Sequence, residues 1–153
     1  LKASAVFLLD TDHLVILQRG PADLRHALLA RMSGHAPSQF FVSIVSFQEQ
    51  LAGWLGYLAR RRPADQIVHA YRQLSRLLED YSHAQLAAFS DDAARLFEEL
   101  RRQRVRVGTM DLRIATIALV GDHTVLTRNL VDFEKVPGLR VEDWTSPFHD
   151  KPR

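Results

Sequence analysis

The sequence predicts an α/β fold: a mostly parallel central sheet with helices on both faces. Two observations carry this. Short apolar runs of strand length recur along the chain, and stretches with helical spacing of apolar residues alternate with them. The length, 153 residues, fits one domain able to bury a hydrophobic core without staples. The elements follow in order. Val6-Phe7-Leu8-Leu9 reads as a buried strand, and Leu14 to Leu17 begins a helical stretch. Pro21 suits the first turn of the next helix, whose Leu24, Leu28, Leu29 and Met32 fall on one face. A loop at 34–39 leads to a second strand at 40–43. Helices at 46–58 and 64–80 precede a third strand at 86–89. Ser90 caps a helix running to about Arg102, and the apolar, Ala-rich stretch 110–120 reads as a buried helix. Val125-Leu126-Thr127 is a fourth strand, 130–135 a short helix, Pro137-Gly138 a turn and 139–142 a last strand. The expected organisation is one domain over 1–145 with a tail at 146–153.

Composition narrows the classes. Hydrophobic residues make up 46% and charged residues 25%, which fits a soluble globular domain rather than a disordered chain. The absence of cysteine excludes a disulfide framework and a zinc–thiolate site, and is compatible with a cytoplasmic location. The apolar run at 6–9 is too short for a signal-peptide core, and no apolar stretch is long enough to span a membrane. A net charge of +2 does not announce nucleic-acid binding, although Arg60-Arg61-Arg62 and the group Arg101, Arg102, Arg104 and Arg106 form local basic knots. Taken alone, each knot reads as a solvated helix end.

In a parallel sheet, sites form beyond the carboxyl ends of the strands, and four acids fall there. Asp10 closes the first strand. Glu49 sits in the first turn of the helix after the second, Asp111 in the first turn of the Ala-rich helix, and Asp132 in the short helix after the fourth strand. Each also has a structural reading. Ser46-Phe47-Gln48-Glu49 matches a capping box, Asn129 suits the cap of the last short helix, and first-turn acids complement the helix dipole. Together they would form a carboxylate cluster whose mutual repulsion a hard divalent cation relieves, the arrangement of metal-assisted phosphodiester cleavage.

At these residues the chain resembles the PIN-domain family, specifically its VapC-like toxins, and the likeness runs from Phe7 to Trp144. Leu8-Leu9-Asp10-Thr11-Asp12-His13-Leu14 is similar to the family's first motif. The stretch 43–49 is similar to the second, with Gln50 where the family normally has Leu. Phe89-Ser90-Asp91-Asp92-Ala93-Ala94 resembles the segment before the central helix. The stretch 108–115 resembles the third acidic motif. Thr127-Arg128-Asn129-Leu130-Val131-Asp132-Phe133 resembles the fourth, followed by Pro137-Gly138-Leu139 and Val141-Glu142-Asp143-Trp144. The resemblance implies a three-layer α/β/α fold and dependence on Mg²⁺ or Mn²⁺. It implies single-stranded or loop RNA as substrate, cut to leave 5′-phosphate and 3′-hydroxyl ends. It also implies a homodimer silenced by a cognate antitoxin that plugs the acidic groove. By position, Asp10, Glu49 and Asp111 would hold the metal, Asp132 would complete the site, and Thr11 and Asn129 would support it by hydrogen bonds.

Other residues take plainer readings. Asp12 is expected to cap the first helix, and Asp91 and Asp92 are first-turn acids. His13 has no role in chemistry of this kind, and the histidines show no metal-binding spacing. Trp54, Tyr57 and Tyr71 suit a core or dimer face. Two rival functions remain open. One is a degenerate PIN domain that binds RNA or protein without cutting. The other is a haloacid-dehalogenase-like phosphatase with Asp10 as nucleophile, for which Gly121-Asp122 lacks the second acid of the later pair.

Overall fold

The computed structural model describes residues 3–146, so the expected tail at 146–153 lies outside the described residues except for Ser146. Five strands, β1 (Val6–Leu9), β2 (Phe40–Ser43), β3 (Leu86–Ala87), β4 (His123–Leu126) and β5 (Val141–Glu142), form one sheet in the order β3-β2-β1-β4-β5. Every described pairing is parallel; Leu9 of β1 lies level with Val42 of β2 and Leu126 of β4.

The helices are α1 (Thr11–Arg19), α2 (Ala22–Met32), α3 (Ile44–Leu58), α4 (Ala64–Ser82), α5 (Asp91–Arg102), α6 (Thr109–Val120) and α7 (Leu130–Phe133). Alternation along β1 sorts them into layers. Leu8, with Val125 of β4, packs against Val45, Phe97, Leu100, Ile114 and Phe133 from α3, α5, α6 and α7. Phe7, Leu9 and Leu126 point the other way, onto Leu14, Ile16 and Leu28 of α1 and α2 and onto Trp144. A strand buried on both faces needs apolar residues at consecutive positions, which is why 6–9 reads as an unbroken run. The result is the three-layer α/β/α architecture.

Several bounds differ from the sequence expectation. The third strand stops at Ala87 and the last begins at Val141, both short because they are the sheet's edges. The fourth runs from His123 to Leu126, which leaves Thr127 just beyond it. On α2, Leu28 is fully buried but Leu29 is 49% exposed, so the apolar stripe is narrower than its spacing suggested. The α1–α2 corner depends on Gly20, where a Cβ would sit 2.5 Å from Ile16 Cα. Only glycine lets the chain turn that tightly before Pro21 starts α2. Among the described residues, no helix is long and apolar enough to cross a membrane.

Candidate active site

Because the strands are parallel, their carboxyl ends share one edge of the sheet, and the chain leaving β1, β2 and β4 brings its polar residues there. Asp10 is central. Its N–H donates to the Leu126 carbonyl at 2.9 Å, continuing the β1–β4 ladder. Its side chain then caps α1: Oδ1 accepts from the Thr11 N–H at 2.8 Å and Oδ2 from the Thr127 hydroxyl at 2.9 Å. Burial, followed by the field of Asp12, pushes the Asp10 pKa up to about 7. The bonds from Thr11 and Thr127 oppose that rise and Asp111 adds to it.

Glu49 is not the capping-box residue that its spacing from Ser46 suggested. Ser43 caps α3, its Oγ accepting from the Ser46 N–H at 3.0 Å, so the helix starts two residues early and Glu49 lies in its second turn. That releases its carboxylate from the backbone. Oε1 accepts from the Thr11 hydroxyl at 3.1 Å. Burial raises the Glu49 pKa, Thr11 counters this, and Asp111 raises it further. Thr11 therefore touches two of the acids, Asp10 through its N–H and Glu49 through its hydroxyl.

Asn129 does the same for the other two. It precedes α7 but makes no side-chain cap. Its amide instead donates to Asp132 Oδ2 at 3.0 Å and reaches Asp111 Oδ2 at 3.4 Å. Asp111 is half-buried; burial first, then the fields of Asp132 and Asp12, raise its pKa. Asp132 behaves oppositely, held below the usual carboxylate range by its bonds to Asn129 and Lys135, the latter at 3.0 Å. With its charge already met by Lys135, it is the peripheral member.

Asp12 also differs from expectation. Asp10 caps α1, while Asp12 holds the β4–α7 loop: Oδ2 accepts from the Arg128 N–H at 2.8 Å and Oδ1 lies 2.8 Å from His13 Nδ1. His13 is fully buried, and its Nε2 accepts from the Trp144 N–H at 3.2 Å. Neither His13 nor Thr127 stood out as a site residue in the sequence; the only local signal is a polar side chain adjoining a fully buried strand. Asp122 lies at the other edge, just before β4, paired with Arg140 at 2.9 Å. It cannot supply a second acid to Asp10, which removes the phosphatase reading.

The donor set suits a hard cation: carboxylate oxygens throughout, three of them on groups whose ionisation is opposed by burial and by one another. Among the described residues, no three Asp, Glu or His side chains are arranged to hold a metal ion by themselves. Such an open set fits Mg²⁺, which takes one or two carboxylates and fills its remaining positions with water and phosphate oxygens.

Comparison with known proteins bears on the fold and on part of the sequence. No protein-family model matches the chain. It is 40% identical over 48 residues to ribonuclease VapC1 of Rickettsia felis and 46% identical over 46 residues to the tRNA(fMet)-specific endonuclease VapC of Salmonella typhimurium. Those stretches cover 31% and 30% of this chain, and only 36% and 35% of the two relatives. The fold extends the likeness over the whole domain. A chain of the DNA-bound VapBC crystal structure from Salmonella typhimurium superposes with a TM-score of 0.67 at 26% identity, covering 92% of this chain and 99% of that one. In sequence over about a third of its length, and in fold over nearly all of it, the chain is similar to VapC proteins. Within a VapC-like fold the strand-end edge is where Asp10, Glu49, Asp111 and Asp132 meet, and Thr11 and Asn129 link them in two pairs.

Proposed function

We propose that this VapC-like protein is a metal-dependent endoribonuclease that hydrolyses RNA phosphodiester bonds, the toxin of a type II toxin–antitoxin pair. The observation that carries the reading is the pair of linked carboxylates, Asp10–Thr11–Glu49 and Asp111–Asn129–Asp132, facing one another across the carboxyl edge of a parallel sheet. Asp10, Glu49 and Asp111 would hold Mg²⁺ or Mn²⁺, one or two of them directly and the rest through water, with Asp132 completing the set directly or through water. The bound cation would supply Lewis-acid chemistry, strengthening water as a nucleophile and offsetting charge at the departing oxygen. The chain's own residues do the positioning. Thr11 fixes Asp10 relative to Glu49, Asn129 fixes Asp111 relative to Asp132, and Thr127 ties Asp10 to Asn129 by accepting the Asn129 N–H at 3.0 Å. The names of the relatives, a ribonuclease and a tRNA endonuclease, support RNA as substrate.

The purified protein should cut single-stranded or loop RNA with Mg²⁺ or Mn²⁺ and stop when EDTA is added. RNA bound but left intact under both conditions would instead favour the binding-only reading. VapBC complexes among the structural neighbours support a cognate antitoxin as partner. A homodimer fits the same reading. Ile44 and Leu55 of α3 are exposed, and Ile44, Phe47, Leu51 and Phe89 line a shallow cavity of about 390 Å³. Light scattering at micromolar concentration should give twice the chain mass; a monomer there would remove the dimer.

A further inference from the structure

We propose that a pocket beside the carboxylates, built on Trp54, seats one nucleobase of the RNA next to the bond to be cut, so that the protein reads a base there. This rests on the ribonuclease reading and adds a specificity-determining residue to it. The pocket, about 380 Å³, is lined by Thr11 and Glu49 at one end and by Trp54 and Tyr57 at the other. Thr11 is the residue that joins Asp10 to Glu49, so the aromatic wall opens directly onto the acidic site.

Of the two places its helical spacing suited, core or dimer face, Trp54 does not occupy the core. It is only partly buried and makes T-shaped contacts with Tyr57 at 5.7 Å and His69 at 5.9 Å. The exposed Arg19 guanidinium lies 5.4 Å from its ring centroid. Arg19 is exposed, so its guanidinium can swing outward and a planar base can take its place over the Trp54 ring. Aromatic faces and arginine planes are what single-stranded nucleic acid stacks upon. One position along α3, Gly53 borders the same pocket, and a Cβ placed there would meet nothing within 4 Å.

Between these ends the wall carries Val15 and one polar side chain held in place, that of Gln50. Gln50, the departure from the family's second motif, donates to Gln18 at 2.7 Å and accepts from the Tyr81 hydroxyl at 2.8 Å. A glutamine amide has two N–H groups and two carbonyl lone pairs. These bonds fix its orientation and use one of each, leaving a donor and an acceptor for a base edge. Trp54, Arg19 and Gln50 also border the adjoining groove, whose apolar residues Leu14, Leu17 and Leu77 lie away from Thr11 and Glu49, so only the smaller pocket joins the aromatic ring to the acids. Aromatic face, guanidinium, oriented amide and adjoining carboxylates together match a nucleotide.

The test uses the full chain and a single-stranded RNA 12-mer of mixed sequence. In cleavage assays Trp54→Ala should lower kcat/KM by about 10- to 100-fold, the value of one base stack, and Trp54→Phe should keep most of the activity. Sequencing of RNA ends should show a base preference at one position near the cut that flattens in Trp54→Ala. Gly53→Met, which fills the pocket, should weaken cleavage as Trp54→Ala does. In the Asp10→Asn background, RNA should quench Trp54 fluorescence; Trp144, in the core at 5% exposure, is shielded from a base. An RNA with an abasic site at the selected position should quench less. If wild type cuts RNA while Trp54→Ala cuts it at the same rate with the same end preference, the base pocket is wrong and the ribonuclease reading stands. If wild type cuts no RNA, the ribonuclease reading fails, and the quenching measurement alone decides whether a base enters. Pocket variants that lose binding to a partner protein but keep every RNA readout would assign the pocket to protein and overturn the proposal.

Discussion

Asp10→Asn should abolish RNA cleavage and, in the absence of divalent metal, make the protein more stable at pH 8. The loss of activity, about 10³-fold or more, follows from removing the charge nearest the centre of the carboxylate set. The gain in stability follows from what that charge costs. Asp10 is 6% exposed, and its pKa rises from an ordinary 3.8 to about 7. Between those values the unfolded chain has lost the proton while the native state keeps it, so stability falls as pH rises through this window. Below it both states are protonated and nothing is lost; above it the whole penalty is present, on the order of 4 kcal/mol. Asparagine never ionises, yet keeps an oxygen for the Thr11 N–H. Between pH 4 and pH 8 the stability of the variant relative to wild type should therefore shift in its favour by on the order of 4 kcal/mol, starting from near parity at pH 4. Urea unfolding in EDTA at both pH values measures this. An equal offset at the two pH values, or a loss at pH 8, would refute the burial argument. Adding Mg²⁺ should raise the stability of wild type and leave the variant little changed.

His13→Ala should cost about 3–5 kcal/mol, a large effect for a side chain with no part in the reaction. The imidazole is fully buried on the inward face of α1, between Asp12 and the backbone of Trp144. The Trp144 N–H donates to Nε2, so Nδ1 carries the proton and donates to Asp12. Truncation leaves a cavity, strips one Asp12 oxygen of its donor and orphans the Trp144 N–H. Asp12 also holds the Arg128 N–H, so the loop bearing Asn129 should loosen with it. Denaturant midpoints give the cost, and limited proteolysis after 128 reports the loosening. A change below 1 kcal/mol with unaltered proteolysis would show that the ring merely fills space.

Most of the fold was legible because the strands are short and the central ones, β1 and β4, are buried on both faces. An unbroken run such as Val6-Phe7-Leu8-Leu9 fits little else at that length. The strand order was not legible: nothing local says that β1, first in the chain, sits between β2 and β4. The positions of the four acids were legible as strand ends, but their partners were not. The choice of Ser43 over Ser46 as cap of α3 decides whether Glu49 binds its own backbone or Thr11, and a shift of three residues between two serines leaves no trace in composition. Asp12 and His13 look like ordinary helix-start residues. Their roles come from residues more than a hundred positions away, Arg128 and Trp144, and no spacing rule reaches that far.

That same strand order has a consequence for synthesis. Asp10 emerges from the ribosome early, but its N–H needs the carbonyl of Leu126 and its carboxylate the hydroxyl of Thr127. Until β4 has been translated, the middle of the sheet lacks a neighbour and Asp132, the fourth acid, does not yet exist. A polypeptide that stops before β4 therefore leaves Asp10 without the backbone and hydroxyl partners that hold it, so no assembled acidic edge precedes synthesis of that strand.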